Sequence, residues 1–424
     1  MKSSKKLWMI IGPVITAFLI LGVLLLLPLR FDHNSKLSEE KAAVSLSPQI
    51  FKGRQFKEQA LSGKYVPFFG SSELKRMDPY HPSVLAAKYH RNYRPFLLGN
   101  AGTQCLTQYF AMQTILSQLK DKKAVFIISP QWFVAKGDDP NAFAYYYSKL
   151  QAVTWLQREN GSKMDKYAAG RLLQMPSGRS DKFIKNLLYK AKFGHKITGF
   201  DRFRLDVDDN ILNHEDQLFS AVGLNNNLNK IKRGEKRLPN SENYSVLDKH
   251  AYSYGKKRTN NNRFRINNNF YKRRLVGYVK GLKGEQKNFD YRKSPEYGDL
   301  ELVLNQFAKT HTNVLFIIPP INSLWTKYTG LNSKMVQQTD NKIVHQLKSQ
   351  GFNHVVDLNK YGSEPYFMED TIHIGYRGWV KVDEYVRPFM KEKNKKVNYD
   401  IKNKFYSYKW QQLFPSKKNL TNFN

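Results

Sequence analysis

The stretch Val66-Pro-Phe-Phe-Gly-Ser-Ser-Glu-Leu74 decides how the rest of the chain is read. A short apolar run closed by Gly and Ser is the pattern of a strand buried on both faces of a parallel sheet, not of a half-exposed one. Four more such runs follow, at 96–99 (Phe-Leu-Leu-Gly), 124–129 (Ala-Val-Phe-Ile-Ile-Ser), 314–319 (Val-Leu-Phe-Ile-Ile-Pro) and 354–358 (His-Val-Val-Asp-Leu). Between them, 103–118 and 340–349 can form helices, and a last helix is expected over 377–391. Strand, helix, strand with right-handed crossovers gives an α/β doubly wound parallel sheet with helices on both faces, a three-layer α/β/α arrangement. Ligands in such sheets sit beyond the carboxyl ends of the strands. Ser71 and Ser72 fall at such an end.

Working outward, residues 7–29 (LWMIIGPVITAFLILGVLLLLPL) carry no charge. At 23 residues the run is long enough to cross a hydrocarbon core of about 30 Å as one helix. A cleaved signal would have a shorter apolar core, about 7–15 residues, and a small-residue cleavage site. Lys2, Lys5 and Lys6 precede the run, whereas Arg30, Asp32, Lys36 and Glu39 follow it in mixed sign. The positive-inside rule therefore keeps 1–6 in the cytoplasm, 7–29 in the cell membrane as a single-pass transmembrane anchor, and the remainder outside the cell. That remainder divides into a juxtamembrane segment (30–60), the layered domain (61–136 and 300–392), an insertion that is helical and basic (137–299) and a basic aromatic tail (393–424).

The chain has 424 residues, with 69 Lys plus Arg against 35 Asp plus Glu, a net charge of +34 that calls for an anionic partner. Placing the charge outside the cell excludes nucleic acid and leaves envelope anions. The single cysteine, Cys105, excludes internal disulfides and Cys-rich zinc sites, and the histidines lack ligand spacing, so no metal is expected. No Gly-rich phosphate loop is present, so no nucleotide cofactor is expected either. Within the insertion, helices are expected over 142–158, 166–173 and 181–192. Residues 230–293 then hold 19 Lys plus Arg and 5 Asp plus Glu, a net +14. This segment reads either as a solvated, partly disordered insertion or as a surface for a phosphate-rich polymer. In the second reading Lys256, Lys257, Arg258, Lys272, Arg273 and Arg274 hold the phosphates, interleaved with Tyr252, Tyr254, Phe264, Phe270, Tyr271 and Tyr278.

Two motifs carry chemistry. A serine directly after a buried strand is exposed at the mouth of the sheet, beside backbone N–H groups able to stabilise an oxyanion. Asp370 and His373, three residues apart where the last helix is expected to begin, can share a turn. There the carboxylate orients the imidazole and the imidazole takes a serine proton. Both motifs fall on the carboxyl edge of one sheet.

Gly70-Ser71-Ser72, Asn100-Ala101-Gly102 and Asp370-Thr-Ile-His373, in this order, resemble the SGNH (GDSL-type) hydrolase and acyltransferase superfamily. With the single span, Pro67-Phe-Phe-Gly-Ser-Ser-Glu-Leu74, Ile127-Ile-Ser-Pro-Gln-Trp-Phe133 and the Asp370 to Trp379 run, the chain more narrowly resembles the DltD family of D-alanyl-lipoteichoic acid biosynthesis proteins. The resemblance implies Ser72, His373 and Asp370 as a catalytic triad, with the backbone of Ser72 and Gly102 in the oxyanion hole. Ser129-Pro-Gln-Trp132 replaces the superfamily's Gly-x-Asn-Asp block, leaving Gln131 as the side-chain donor. The implied activity is O-acyl transfer of D-alanine to the glycerol phosphate chain of lipoteichoic acid, outside the cell, without a cofactor. A membrane-bound O-acyltransferase and a D-alanyl carrier protein are the implied partners. The same triad also fits a thioesterase or esterase that hydrolyses D-alanyl groups, and a scaffold for D-alanine ligation and transfer needs no triad at all.

Overall fold

The computed structural model describes residues 2–26 and 35–423. All five expected strands are present, as β1 (Tyr65–Phe69), β2 (Arg94–Leu98), β3 (Lys123–Ile127), β4 (Asn313–Ile318) and β5 (Val355–Asp357). They form one parallel sheet in the order β2-β1-β3-β4-β5. Strand order reverses between β1 and β3, which opens a crevice at the carboxyl end of β1.

The apolar runs have no polar face because both faces of the sheet are covered. Phe69, Phe96, Leu98, Ala124, Phe126, Val314 and Phe316 point into one core. Phe68, Leu97, Val125, Ile127, Leu315 and Ile317 point into a second core on the opposite face. The period-2 alternation of a strand thus feeds two layers, with helices Cys105–Met112 and Glu296–Lys309 against the first and Pro82–Lys88 and Tyr376–Lys391 against the second.

Several expected elements are interrupted, each for a local reason. The helix expected over 142–158 is two, Pro140–Tyr146 and Lys149–Leu156, because Ser148 caps the second in a reciprocal pair of bonds with Gln151. The one expected over 103–118 runs as Cys105–Met112, a 3₁₀ turn and Leu116–Leu119. The basic stretch 230–293 is not disordered. It holds helices Leu228–Glu235 and Tyr244–Arg258 and short turns, and Phe264, Ile266 and Leu275 pack on Trp325 as a small separate core. Helix Glu296–Lys309 runs across the boundary expected at 299/300. The tail buries Phe405, Trp410 and Leu420 in the first core. Lys342, itself buried, donates Nζ to Gln411 O (3.3 Å) and Leu413 O (2.9 Å), which fixes the tail to the domain.

At the N-terminus, Lys2–Leu26 is a helix of 25 residues. The span expected over 7–29 ends outside the described residues, as does the beginning of the juxtamembrane segment, 30–34. Among the described residues no helix is long and apolar enough to cross a membrane.

Candidate active site

The carboxyl ends of all five strands supply the site. After β1 the chain turns through Gly70 and Ser71 into the 3₁₀ turn Ser72–Lys75. After β2 come Asn100 and Gly102, and after β3 the 3₁₀ turn Pro130–Trp132, which holds Gln131 half-buried. Asn322, after β4, donates its N–H to Thr371 O (3.1 Å) and its side-chain amide to Phe264 O (3.1 Å). Beyond β5 the chain forms a hairpin-like bridge between Met368 and Ile374. That bridge carries Asp370 and His373.

The serine turn is held by close packing and by hydrogen bonds on both sides. Gly99 approaches Gly70 so closely that a Cβ there would lie 2.6 Å from the Gly70 carbonyl carbon. Gly70 O accepts from Gln108 Nε2 (2.7 Å) and Thr103 Oγ1 (2.8 Å), and Ser71 Oγ donates to Asn100 O (3.0 Å). The buried Glu73 carboxylate accepts the Ser71 N–H (2.6 Å). Burial pushes that carboxyl above its ordinary pKa, against the pull of the Ser71 N–H. Gly102 takes φ +85°, the left-handed region that favours glycine, and a Cβ would meet Ala142 Cβ at 2.7 Å.

Ser72 Oγ lies 2.6 Å from His373 Nε2, and His373 Nδ1 lies 2.8 Å from both Asp370 oxygens. The three side chains therefore form one continuous hydrogen-bonded chain across 301 residues of sequence. Asp370 is not in the final helix, as its spacing suggested. Its Oδ1 accepts the N–H groups of Ile372 (3.1 Å) and His373 (3.0 Å), an Asx turn that closes the loop before helix Tyr376–Lys391 begins. Asp370 is fully buried, which by itself would raise its pKa, yet His373 and the Arg76 guanidinium hold it below the ordinary carboxylate range. Since an ionised Asp370 accepts from Nδ1–H, Nε2 is left as the acceptor facing the serine hydroxyl.

Arg76 is a residue the sequence did not single out. It sits four positions after Ser72, with Nη2 3.0 Å from Asp370 Oδ2 and its guanidinium 5.2 Å from the centre of the Phe270 ring. Only the folded chain brings it to Asp370, so no local spacing marks it. The basic insertion reaches the triad loop by two further contacts. Asn267 N–H donates to Glu369 O (2.7 Å), and its side-chain amide donates to Tyr376 Oη (3.0 Å). Buried Glu369 has its pKa pushed up to about 8 by burial and by the nearby Asp78 and Asp370 charges.

The six basic residues expected to hold phosphates lie in two places. Lys256 and Lys257 are exposed at the end of helix Tyr244–Arg258, with Arg258 half-buried over the Tyr254 ring (4.4 Å). Lys272, Arg273 and Arg274 are exposed on the turn Tyr271–Leu275, directly after the Phe270 that supports Arg76. Among the described residues no group of His, Cys, Asp or Glu could hold a metal ion.

Residues 43–391 match the family model described as DltD protein. Over 96% of this chain and 97% of the relative's length, the sequence is 46% identical to Protein DltD of Lacticaseibacillus rhamnosus. It is 32% identical to Protein DltD of Bacillus subtilis (strain 168) over 90% of this chain and 97% of that protein. Against Protein DltD of Staphylococcus aureus (strain NCTC 8325 / PS 47) the identity is 29%, over 89% of this chain and 95% of that one. With the serine turn, the Asp-x-x-His loop and the sheet between them all inside the matched span, the chain belongs to the DltD family.

Proposed function

We propose that this protein acts in the D-alanylation of teichoic acids as an acyltransferase, passing D-alanine to hydroxyls of the glycerol phosphate chain of lipoteichoic acid through an ester on Ser72. The observation that carries this reading is the hydrogen-bonded chain Ser72 Oγ, His373 Nε2, His373 Nδ1, Asp370. In the first half-reaction His373 Nε2 takes the Ser72 proton as Oγ bonds to the acyl carbon of a D-alanyl thioester or ester. The imidazolium then returns that proton to the departing thiol or alcohol. In the second half-reaction a glycerol hydroxyl gives its proton to Nε2 and attacks the acyl carbon. The Ser72 Oγ–carbon bond breaks, and the serine leaves with the proton from His373. Asp370 stays ionised throughout, stabilised by Arg76 and the Asx-turn N–H groups.

Ser72 opens the 3₁₀ turn, a position whose N–H has no acceptor in a preceding turn of helix, and Gly102 turns the chain after β2 on the same edge of the sheet. We assign the oxyanion hole to the backbone of Ser72 and Gly102, with the Gln131 amide as third donor. The cations at 256–258 and 272–274 raise the local concentration of acceptor hydroxyls by holding the adjoining phosphates. The anchor is residues 7–29, single-pass, with the catalytic layers outside the cell. Support for it comes from Trp8, Ile10, Phe18 and Leu19, large apolar side chains that helix Lys2–Leu26 leaves exposed.

Full-length protein with a D-alanyl thioester and poly(glycerol phosphate) should form polymer ester, and Ser72→Ala should form none. Release of free D-alanine at the same rate with and without polymer would replace transferase by esterase. Ester formation unaffected by Ser72→Ala would remove the catalytic reading altogether.

A further inference from the structure

Two helices of the insertion, Lys182–Phe193 and Gly199–Phe219, meet at a corner with an unusual surface. Gly194, in the left-handed conformation, closes the first, and Thr198 and Asp201 cap the second in a reciprocal box. Ile197 between them is buried and pins the corner to the domain. The aromatic residues on either side are turned away from any core: Phe193 is 61% exposed, Phe200 74% and Phe203 64%. Tyr189, also exposed, stacks on Phe193 with ring centres 6.5 Å apart. Large rings are left in water singly on many proteins, but four on one helix corner are a patch that calls for a partner.

The charge around these rings is one-sided. Residues 182–204 contain seven Lys or Arg and one acid, Asp201, a net +6. Asp201 is buried and already held by Lys190 at 2.6 Å. Of the later acids of the same helix, Asp208 pairs with Lys149 and Asp209 with Arg54, while the exposed Asp206 accepts from Gln157 Nε2 (2.8 Å) and Glu215 is exposed further along. Lys182, Lys185, Lys192, Lys196, Arg202 and Arg204 are all exposed. Cations surrounding exposed Phe and Tyr on the polar side of an amphipathic helix are the composition of a surface that lies in the headgroup layer of an anionic bilayer. Helix Gly199–Phe219 also comes alongside the apolar N-terminal helix Lys2–Leu26.

We infer that the corner 189–204 is a second membrane contact, which rests its aromatic side chains in the headgroup layer of an anionic lipid surface while its cations pair with the lipid phosphates. The inference rests on the proposed anchor, because that anchor brings the corner to the bilayer. Two attachments fix the orientation of the domain, so the mouth of the sheet keeps a constant height above the lipid. A single helical tether would leave the domain free to turn.

The buried Cys105 makes the test direct, since an introduced cysteine is the accessible thiol. The full chain, carrying Phe193→Cys, Phe200→Cys or Phe203→Cys with a nitroxide label, is reconstituted into vesicles of phosphatidylcholine and phosphatidylglycerol. Leu19→Cys serves as the anchor reference. Collision of each label with dissolved oxygen and with a water-soluble nickel chelate reports its depth. The expected result is oxygen exceeding the nickel chelate several-fold at 193, 200 and 203, with that excess falling in pure phosphatidylcholine while Leu19→Cys is unchanged. Lipid-exposed label at 19 with water-exposed labels at the corner would overturn the second contact and leave the anchor standing. Water exposure at 19 as well would overturn both. Corner labels embedded equally in neutral lipid would overturn the electrostatic part. Resistance of Cys105 to thiol reagent in each variant checks that the fold is intact.

Discussion

The Arg76 guanidinium lies 3.0 Å from Asp370 Oδ2 and rests on the face of Phe270, so the layered domain and the basic insertion meet at the carboxylate that holds His373. Asp370 is fully buried, and two proton-donating neighbours face it, His373 from its own loop and Arg76 from the end of the turn after β1. The 264–275 region thus borders the carboxylate at two points, through Phe270 beneath Arg76 and through the Asn267 bond to Glu369 O.

Arg76→Ala should lower kcat by about 10-fold while leaving KM nearly unchanged, because it removes one charged hydrogen bond to Asp370 and no proposed substrate contact. The sign of the pH effect follows from the lowered pKa of Asp370. Loss of Arg76 lets that pKa rise, so the acid limb of the kcat profile moves to higher pH. Arg76→Lys should restore part of both effects. A pH profile that is merely scaled down, with no shift, would reduce Arg76 to a packing role.

Asp370→Asn keeps an oxygen for the Ile372 and His373 N–H groups, but faces the imidazole with an amide N–H donor. His373 should then carry its proton on Nε2, where it cannot accept from Ser72. Transfer should fall by about 10³–10⁴-fold, and the melting temperature should fall as well, because the amide also turns a donor toward Arg76 Nη2 and breaks a buried ion pair. Rates of D-alanyl ester formation, measured beside a melting curve, check this, and a near-wild-type rate would remove Asp370 from the triad.

The strands and the turn shared by Asp370 and His373 were legible because both are local: buried runs bounded by Gly and Ser mark β1 to β5, and three-residue spacing brings the carboxylate to the imidazole. What was misread depends on tertiary contacts. Residues 230–293 read as charge and Asn, since the few apolar residues that order them, Phe264, Ile266 and Leu275, find their partner Trp325 some fifty or more residues further on. The tail reads only as basic and aromatic for a similar reason: Trp410 and Phe405 pack on elements far upstream, and the Nζ that holds 411–413 belongs to Lys342.

Gly99→Ala should cost several kcal/mol and lower activity more than stability alone explains. Its Cβ would lie 2.6 Å from backbone at Gly70, and backbone cannot swing aside as a side chain can. The ends of β1 and β2 must part, and that displaces the turn that presents Ser72. The check is a lower melting temperature together with slowed labelling of Ser72 by a phosphonate probe below that temperature.

Glu301 gives the stability a pH dependence of its own. Burial raises its pKa from 4.5 to about 8, although Gln346 and Gln350 donate to its Oε2. Between those two values the folded chain keeps a proton that the unfolded chain has released. Stability is therefore full below about 4.5 and declines as pH rises toward 8, by a few kcal/mol at most. Glu301→Gln keeps the acceptor oxygen and abolishes the titration. The difference in melting temperature between variant and parent should grow in favour of the variant from pH 5 to pH 8, and a constant difference would contradict it.

The charge of 272–274 should be felt in binding before it is felt in chemistry. Lys272, Arg273 and Arg274 are exposed on a turn whose neighbour Phe270 supports Arg76, so a phosphate chain held there runs beside the triad loop. Each cation that meets a phosphate releases a counterion. By analogy with nucleic acids, neutralising all three should reduce the slope of log affinity against log salt by roughly two to three. The experiment is best done in Ser72→Ala, so that no ester forms during titration with poly(glycerol phosphate). Replacing the three by Gln should weaken binding steeply at low salt and hardly at all at high salt, where screening has already removed their contribution. Neutralising Lys256 and Lys257 instead separates the two basic groups: an equal loss of slope means that the polymer spans both, and no loss confines it to the turn beside Arg76. If neither change moved affinity or slope, the +14 of 230–293 would serve solubility, and the acceptor would have to reach Ser72 along another wall of the crevice.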